Sequence, residues 1–539
     1  MQTGYPRFWM TKSIRTLTLH AQTLHAAPSE RALLLTSALA AQACTSFFIA
    51  RGASPSCLRS LTPVFASANS LAEAHAFFFP IEYWRVAKVF WMHTGLGISS
   101  RLAAHYLELL GIADVEGAGI DESFDGLDGG KQRLGNGNAI IPQSLEAKLG
   151  MRKQIGELVS VDIEDVFLYP TGMAAIWSAH QLLMHAFGDS KKSVCFGFPY
   201  VDTLKVLEKW GPGCHFFPDG QDIFLDDLEK LLISLSSSTD TPPILALFTE
   251  IPSNPLLVSV NLPRLRQLAD RFGFPIVVDD TIGNFVNVDA LKYVDIVVTS
   301  LTKSFSGRAN VLGGSLILNP KGPFYAHLHA HLTQSFTDTY FPLDALVMAQ
   351  NSADFVRRTS ILDSNAEWVC DKLREVMKQD GSVIADVYYP KYKTRANYDA
   401  VRRPKGGYGP LITVLFSSIL TASAFHDALP FSKGPSFGTN FTLASPYTII
   451  AYYGELEWAG KYGALEEMVR VSVGMEEKDE IWQGFSRAIE AAEKASREVI
   501  DGEDGGKGIM GVESGDLAVS GKEIRVDTVN DPDHILYWE

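Results

Sequence analysis

The sequence predicts an α/β protein, with a mostly parallel sheet covered by helices on both faces and a smaller α+β domain after it. From about Ile140, helix-patterned segments (QSLEAKLGMRKQIGEL, VDTLKVLEKWG, LPRLRQLADRFG) alternate with short apolar runs (DVFLY, SVCFGF, PILALFT, PIVVDD, DIVVTS, SLILN). These runs lack polar alternation, as strands buried on both faces require, and the helices between them imply parallel crossovers. Further on, the strand-like segments VIADVYY, PLITVLF and MVRVSVGM are separated by longer loops.

A chain of 539 residues predicts two or three domains. Its apolar fraction of 46% and charged fraction of 20% are those of a globular protein. A net charge of -15 argues against a nucleic-acid or anionic-membrane partner, because both demand a basic face; local basic pockets for small anions stay open. Cys44, Cys57, Cys195, Cys214 and Cys370 are dispersed without CxxC spacing. That pattern indicates neither a disulfide framework nor a zinc site, and suits a reducing compartment.

Taken in order, residues 1–137 read as an N-terminal arm and loops. Within them LLLTSALAAQACTSFFIA (33–50) is uncharged and long enough to resemble a membrane span. It carries Thr36, Ser37, Gln42, Thr45 and Ser46, however, and so reads as a buried helix running into a strand. It also begins too far from Met1 for a secretory signal. The first thirty residues are acid-poor, with Arg7, Lys12 and Arg15, a faint echo of a mitochondrial presequence; the cytoplasm is the expected compartment. The run VEGAGIDESFDGLDGGKQRLGNGN (115–138) is expected to be loop. Residues 138–355 form the ligand-binding α/β domain, closing on a long helical stretch from about Asp344 to Met377. Residues 356–500 form the α+β domain, ending in the helix EIWQGFSRAIEAAEKASREVI. The Gly- and acid-rich tail 501–539 is expected to be largely disordered, with ILYWE able to dock back.

Four segments lie where a strand gives way to a loop, the edge at which ligands bind in parallel sheets. In FLYPTGMAAIWSAHQLL a strand ends at Tyr169 and a helix begins near Ala174. The amides of Gly172 and Met173 then face outward at a helix N-terminus, which favours a phosphate, although a plain capping turn explains the same residues. In FTEIPSNPLL, Glu250, Ser253 and Asn254 follow an apolar strand, as an ordinary turn also would. In PIVVDDTIGNF, Asp279 and Asp280 end a buried strand, so at least one carboxylate needs a partner or caps a turn. In DIVVTSLTKSFSGRANVLGG, Ser300, Thr302 and Lys303 cluster at another strand end. Alone, Lys303 would count as a solvated surface residue.

The combination is more specific than its parts. Asp279 and Lys303 end consecutive buried strands with one short connection, so they can meet in one cleft. Lysine forms Schiff bases with carbonyl cofactors, and a carboxylate on a pyridinium nitrogen keeps that ring protonated and electron-accepting. Gly172, Met173, Ser300 and Thr302 supply a phosphate cradle.

At these segments the chain resembles the Cys/Met-metabolism family of pyridoxal-phosphate enzymes, and is most similar to its fungal cystathionine γ-synthases. The likeness runs from about residue 93 to 485, and extends to GYPRF near the start; the SxTK element with its trailing GG and the E-x-P-S-N-P-L element are specific together. The resemblance implies a fold type I pyridoxal-phosphate transferase with Lys303 as cofactor lysine and Asp279 as partner of the ring nitrogen. Thr171, Gly172, Met173, Ser300 and Thr302 resemble the phosphate cradle, Tyr200 in FPYVDT the tyrosine stacked on the ring, and Asn254 the asparagine near the phenolic oxygen. Arg470 in VRVSVGME matches the arginine for the substrate α-carboxylate, a task suited to its planar fork. Arg101 in ISSR resembles the arginine that reaches a neighbouring subunit's phosphate, which implies a homodimer or homotetramer. Two departures stand out: Ser99 occupies the place where many members have a tyrosine, and the loop after the lysine reads SGRAN instead of carrying Gly-His. There Arg308 is either a solvated loop residue or a cation that recognises an anionic nucleophile.

The resemblance further implies γ-replacement on an O-acyl-L-homoserine, with Lys303 as base and Tyr200 as a second proton carrier. L-Cysteine is the first expectation for the nucleophile. Sulfide or a β-keto acid carbon is the alternative, and cystathionine γ-lyase chemistry uses the same residues. A non-catalytic pyridoxal-phosphate-binding protein is the contrasting class, against which the intact Lys303, Asp279 and Arg470 weigh.

Overall fold

A computed structural model describes residues 10–65, 70–112, 137–236 and 241–504. The GYPRF segment, most of the Gly/Asp-rich run and the tail beyond Asp504 lie outside the described residues.

Seven strands make the central sheet: β4 (Val166–Tyr169), β5 (Ser193–Phe196), β6 (Cys214–Phe217), β7 (Leu247–Glu250), β8 (Ile276–Asp279), β9 (Ile296–Thr299) and β10 (Gly314–Leu318). Their order is β4-β10-β9-β8-β7-β5-β6. The pairs β5/β6, β5/β7, β7/β8 and β8/β9 are parallel, whereas β10 runs antiparallel to both neighbours. The expected apolar runs are therefore strands, and nearly all their residues are buried because helices cover both faces. β6 (CHFF) had no marked signal: it is an edge strand and only half-buried.

The carboxyl ends of β4, β5, β7, β8 and β9 share one edge of this sheet. Between Phe196 and the helix Val201–Lys209, a short turn carries Tyr200; β7 ends at Glu250 and β8 at Asp279; Lys303 follows β9. Their order in the sheet places these residues side by side. Thr171 caps the helix Gly172–Phe187, its hydroxyl accepting from the Ala174 amide at 2.9 Å, so the helix N-terminus opens at the same edge.

The long helical stretch is broken, as Pro342–Ser352 and Phe355–Met377, with Ala353 and Asp354 between. The C-terminal sheet comprises β11 (Ile384–Tyr388), β12 (Leu411–Phe416), β13 (Ser432–Lys433), β14 (Leu443–Ser445) and β15 (Met468–Ser472), in the order β11-β12-β15-β14-β13. Arg470 lies in β15, flanked by Thr413 on one side and Ser445 on the other. One core runs through both sheets, from Val278 and Leu301 to Val414, Val471 and Phe485. That continuity fixes Arg470 relative to Lys303.

The expectation of an N-terminal arm and loops is corrected by a small α/β unit. β1 (Glu30–Leu35), β2 (Arg59–Leu61) and β3 (His75–Pro80) pair antiparallel in the order β1-β3-β2. The helix Lys12–His25 packs one face, where Ile14 and Leu17 meet Ala32, Leu34 and Phe78; Ala38–Ile49 packs the other, where Phe47 and Phe48 meet Leu33, Leu35 and Phe77. Both faces are covered, so HAFFFP is an unbroken apolar run, as the central strands are. The segment 33–50 is also reversed from expectation: it begins in β1 and continues into the helix, which Ser37 caps by accepting from the Ala40 amide at 3.0 Å. Among the described residues no helix is long and apolar enough to cross a membrane.

This unit contacts the central domain in two places that bear on the site. Phe47 stacks on Trp210 at 4.2 Å between ring centroids, and the Thr171 hydroxyl donates to the Gly95 carbonyl at 3.2 Å.

Candidate active site

An open cleft of about 670 Å³ lies at the shared strand edge, facing β15. The structure brings eight expected residues to its wall: Lys303, Asp279, Gly172, Met173, Tyr200, Asn254, Ser300 and Arg470. Glu250, Thr281, Phe437 and Tyr447 line it too.

Lys303 is buried, and its Nζ donates to Ser436 Oγ at 2.9 Å, 4.9 Å from the centroid of the Phe437 ring. Asp279 Oδ1 accepts from the Thr281 amide at 2.9 Å and from its hydroxyl at 2.5 Å. The Thr281 hydroxyl oxygen also accepts the Ser300 amide at 2.8 Å. Burial pushes the Asp279 pKa up, and the Thr281 hydrogen bonds and the Lys303 charge partly offset it. Glu250 is the register partner of Asp279 across β7/β8. Its carboxylate accepts the Tyr200 amide and the Asn254 amide, the latter at 3.2 Å. Burial raises its pKa well above the carboxylate range, and the charge of Asp279 raises it further. Two enclosed carboxylates side by side favour a proton or a cation between them.

Arg470 is 2% exposed. Its Nη1 donates to Asn254 Oδ1 at 2.9 Å, and its Nη2 to the carbonyls of Pro435 at 2.5 Å and Ser436 at 2.9 Å. Burial lowers its pKa to about 10, opposed by the phenols of Tyr447, Tyr200 and Tyr452. The cation is thus held by neutral dipoles, which leaves its charge for an anionic ligand.

Four expected residues do not line the cleft. The Thr171 hydroxyl is taken up in capping and in the Gly95 contact. Thr302 Oγ1 accepts the Gly313 amide at 3.1 Å and donates to the Gly313 carbonyl at 3.3 Å, closing the lysine loop instead of facing a phosphate. Arg101 pairs with Asp344 and donates to the Asn310 carbonyl at 3.1 Å, within its own chain. Arg308 is exposed on the loop past Lys303. Ser99, the departure beside Arg101, caps the helix Ser100–Leu109 by accepting from the Leu102 amide at 3.1 Å.

Sequence reasoning passed over Thr281, Ser436, Phe437 and Tyr447. Thr281 had a readable signal, a hydroxyl two residues past the carboxylate that ends a buried strand. Ser436 had none: it is 133 residues from Lys303 and reaches it only when the two sheets dock.

Pyridoxal phosphate fits this donor set. A Cβ on Gly172 would stand 2.7 Å from that of Ser300, so the helix N-terminus closes directly on the Ser300 turn, where amides and a hydroxyl converge for a phosphate. Both Thr281 hydrogen bonds fall on Asp279 Oδ1, which leaves the other carboxylate oxygen for a protonated ring nitrogen. Tyr200 and Lys303 both stand at the wall of the same cleft.

Comparison with known proteins agrees with this chemistry. Residues 148–490 match the family described as Cys/Met metabolism PLP-dependent enzyme, and residues 13–99 match that described as fungal trans-sulfuration enzyme, N-terminal domain. The chain is 43% identical to the cystathionine gamma-synthase-like enzyme iboG1 of Amanita muscaria over 91% of this chain and 92% of that one. It is 48% identical to the cystathionine gamma-synthase of Neurospora crassa over 62% of this chain and 53% of that one. Cystathionine gamma synthase from Xanthomonas oryzae pv. oryzae shares the fold, with a TM-score of 0.54 at 19% identity over 66% of this chain and 88% of that one.

Proposed function

This chain belongs to the Cys/Met metabolism PLP-dependent enzyme family, and from that premise we propose that it catalyses γ-replacement on an O-acyl-L-homoserine, with L-cysteine as nucleophile and cystathionine as product. Its cofactor is pyridoxal 5'-phosphate. The observation that carries the reading is that the Lys303 amine and the Arg470 guanidinium are bridged by one residue, Ser436, in the cleft that the half-buried Asp279 also lines.

Lys303, Asp279, Tyr200, Asn254, Gly172, Met173 and Ser300 are the residues that would hold the cofactor. Bound there, it supplies an electron sink for the pair left when a substrate carbon loses its proton. Arg470 binds the substrate α-carboxylate, which orients the amino acid before any bond changes. Lys303, as a neutral amine, removes the Cα proton and carries it within the cleft. Tyr200 is the second proton carrier, for Cβ. Departure of the acyloxy group from Cγ then opens that carbon to the nucleophile. The Phe437 and Ile282 side chains give the cleft wall apolar surface.

A second reading keeps every residue and changes only the nucleophile, to sulfide or a β-keto acid carbon. It is favoured by the near full-length match to a cystathionine gamma-synthase-like enzyme, against a match over about half of the Neurospora enzyme. The working unit proposed is a cytoplasmic homodimer or homotetramer. In it Arg101 would exchange Asp344 for a neighbouring subunit's phosphate.

The test is mass spectrometry of products from O-acetyl- and O-succinylhomoserine offered with cysteine, sulfide and acetoacetate in competition. Cystathionine in excess supports the first reading and a carbon–carbon adduct or homocysteine the second. No keto acid or replacement product from any combination overturns both.

A further inference from the structure

Ser445 is the antiparallel partner of Arg470 on β14. The chain then turns through Pro446, so Tyr447 folds back over the guanidinium, with Arg470 Cζ 3.9 Å from its ring centroid. The ring of Phe437 stands 5.4 Å from the same carbon. Tyr447 is buried, yet its side chain reaches the wall of the cleft. Its phenol oxygen accepts from Asn254 Nδ2 at 3.0 Å, while Asn254 Oδ1 accepts from Arg470 Nη1. An amide presents a donor on one side and an acceptor on the other, so an acceptor at Nδ2 fixes which side meets the arginine. Without it, the buried amide could rotate and set its NH2 against the cation. An aromatic face likewise steadies a desolvated guanidinium without the negative charge that would compete with a carboxylate ligand.

We propose that Tyr447 is a positioning residue for α-carboxylate recognition. Its phenol sets the orientation of Asn254, its ring covers one face of Arg470, and together they hold the guanidinium fork toward the amino acid. The proposal rests on the reading that Arg470 takes the substrate carboxylate. It deepens that reading by assigning the discrimination between amino acids and their carboxyl-blocked analogues to a triad of Arg470, Asn254 and Tyr447.

The experiment uses the cofactor-loaded protein and two unreactive probes, L-norvaline and L-norvalinamide, which differ only at the carboxyl group. Binding is followed by calorimetry and by the visible absorption of the cofactor. Tyr447→Phe keeps the ring and should weaken norvaline binding about tenfold, the scale of one hydrogen bond supporting a charged group. Tyr447→Leu removes the ring as well and should weaken it further, while norvalinamide binding stays within about twofold in both variants. On an Arg470→Gln background, Tyr447→Phe should add no further loss. Equal weakening of both probes, or of neither, overturns the proposal. If Arg470→Gln abolishes the preference for norvaline and the Tyr447 variants retain it, only the proposal falls. If the unaltered protein shows no preference for norvaline, the carboxylate reading of Arg470 falls and the proposal with it.

Discussion

Thr281 ties Asp279 to the neighbouring strand: its hydroxyl donates to the Asp279 carboxylate at 2.5 Å and accepts the Ser300 amide at 2.8 Å. One side chain therefore sets both the Asp279 carboxylate and the Ser300 turn, the groups proposed for the ring nitrogen and the phosphate. Two hydrogen bonds from this residue hold down a carboxylate pKa that burial pushes up.

Thr281→Val should raise the Asp279 pKa further and weaken cofactor binding about tenfold, as expected for losing a hydrogen bond to a charged group. Equilibrium dialysis of the cofactor measures this. Thr281→Ser should restore binding to near its original strength; an unchanged dissociation constant in the valine variant would show that the tie has no bearing on the site.

Arg470→Lys replaces a planar fork by a point charge in a pocket shaped by three carbonyl oxygens. The Michaelis constant for the amino-acid substrate should rise on the order of 30- to 100-fold, with kcat changed much less. Steady-state kinetics separate the two. A fall confined to kcat would contradict a carboxylate-binding role.

Thr171→Val tests the corrected role of that residue. As the cap of Gly172–Phe187, Thr171 contributes about 1 kcal/mol, so the variant should melt about one degree lower. Cofactor affinity should stay within about twofold, because the hydroxyl is not on the cleft wall. Calorimetry and dialysis on the same preparation distinguish this from a phosphate contact, which would lower affinity first.

Asp280, next to Asp279 but outside the cleft lining, accepts a hydrogen bond from Thr299, and burial pushes its pKa up to about 7. Its folded pKa lies above the unfolded carboxylate value. The native state therefore binds the extra proton between about pH 4 and 7, and stability falls as pH rises through that window. Asp280→Asn should abolish on the order of 2 kcal/mol of that fall between pH 5 and 7.5. Denaturant titrations at the two pH values measure it, and parallel pH dependence in the two proteins would refute the assignment.

Legibility from sequence followed the range of the forces involved. The central strands were readable because burial on both faces leaves an unbroken apolar run. Asp279 and Lys303 were readable as partners because they end adjacent strands, where chain order and spatial order agree. The N-terminal sheet was not, since β1 passes through only Thr36 and Ser37 into the equally apolar helix Ala38–Ile49, and β2 is three residues long and largely exposed. Thr171 and Thr302 were misplaced for a local reason: a threonine at a turn can face a ligand or satisfy its own backbone, and here both hydroxyls do the latter.

By itself, then, the sequence determined the layered α/β architecture and the cofactor, because each shows in short segments with a signature of their own: apolar runs for the strands, and polar motifs at the strand ends for the cofactor. Tertiary structure alone decided what surrounds Arg470 and the Lys303 amine, because Ser436 and Phe437 come from the loop after β13 and Tyr447 from the short helix after β14. Their positions depend on how two hydrophobic faces dock, and that packing is a property of the assembled core with no local signature in the chain.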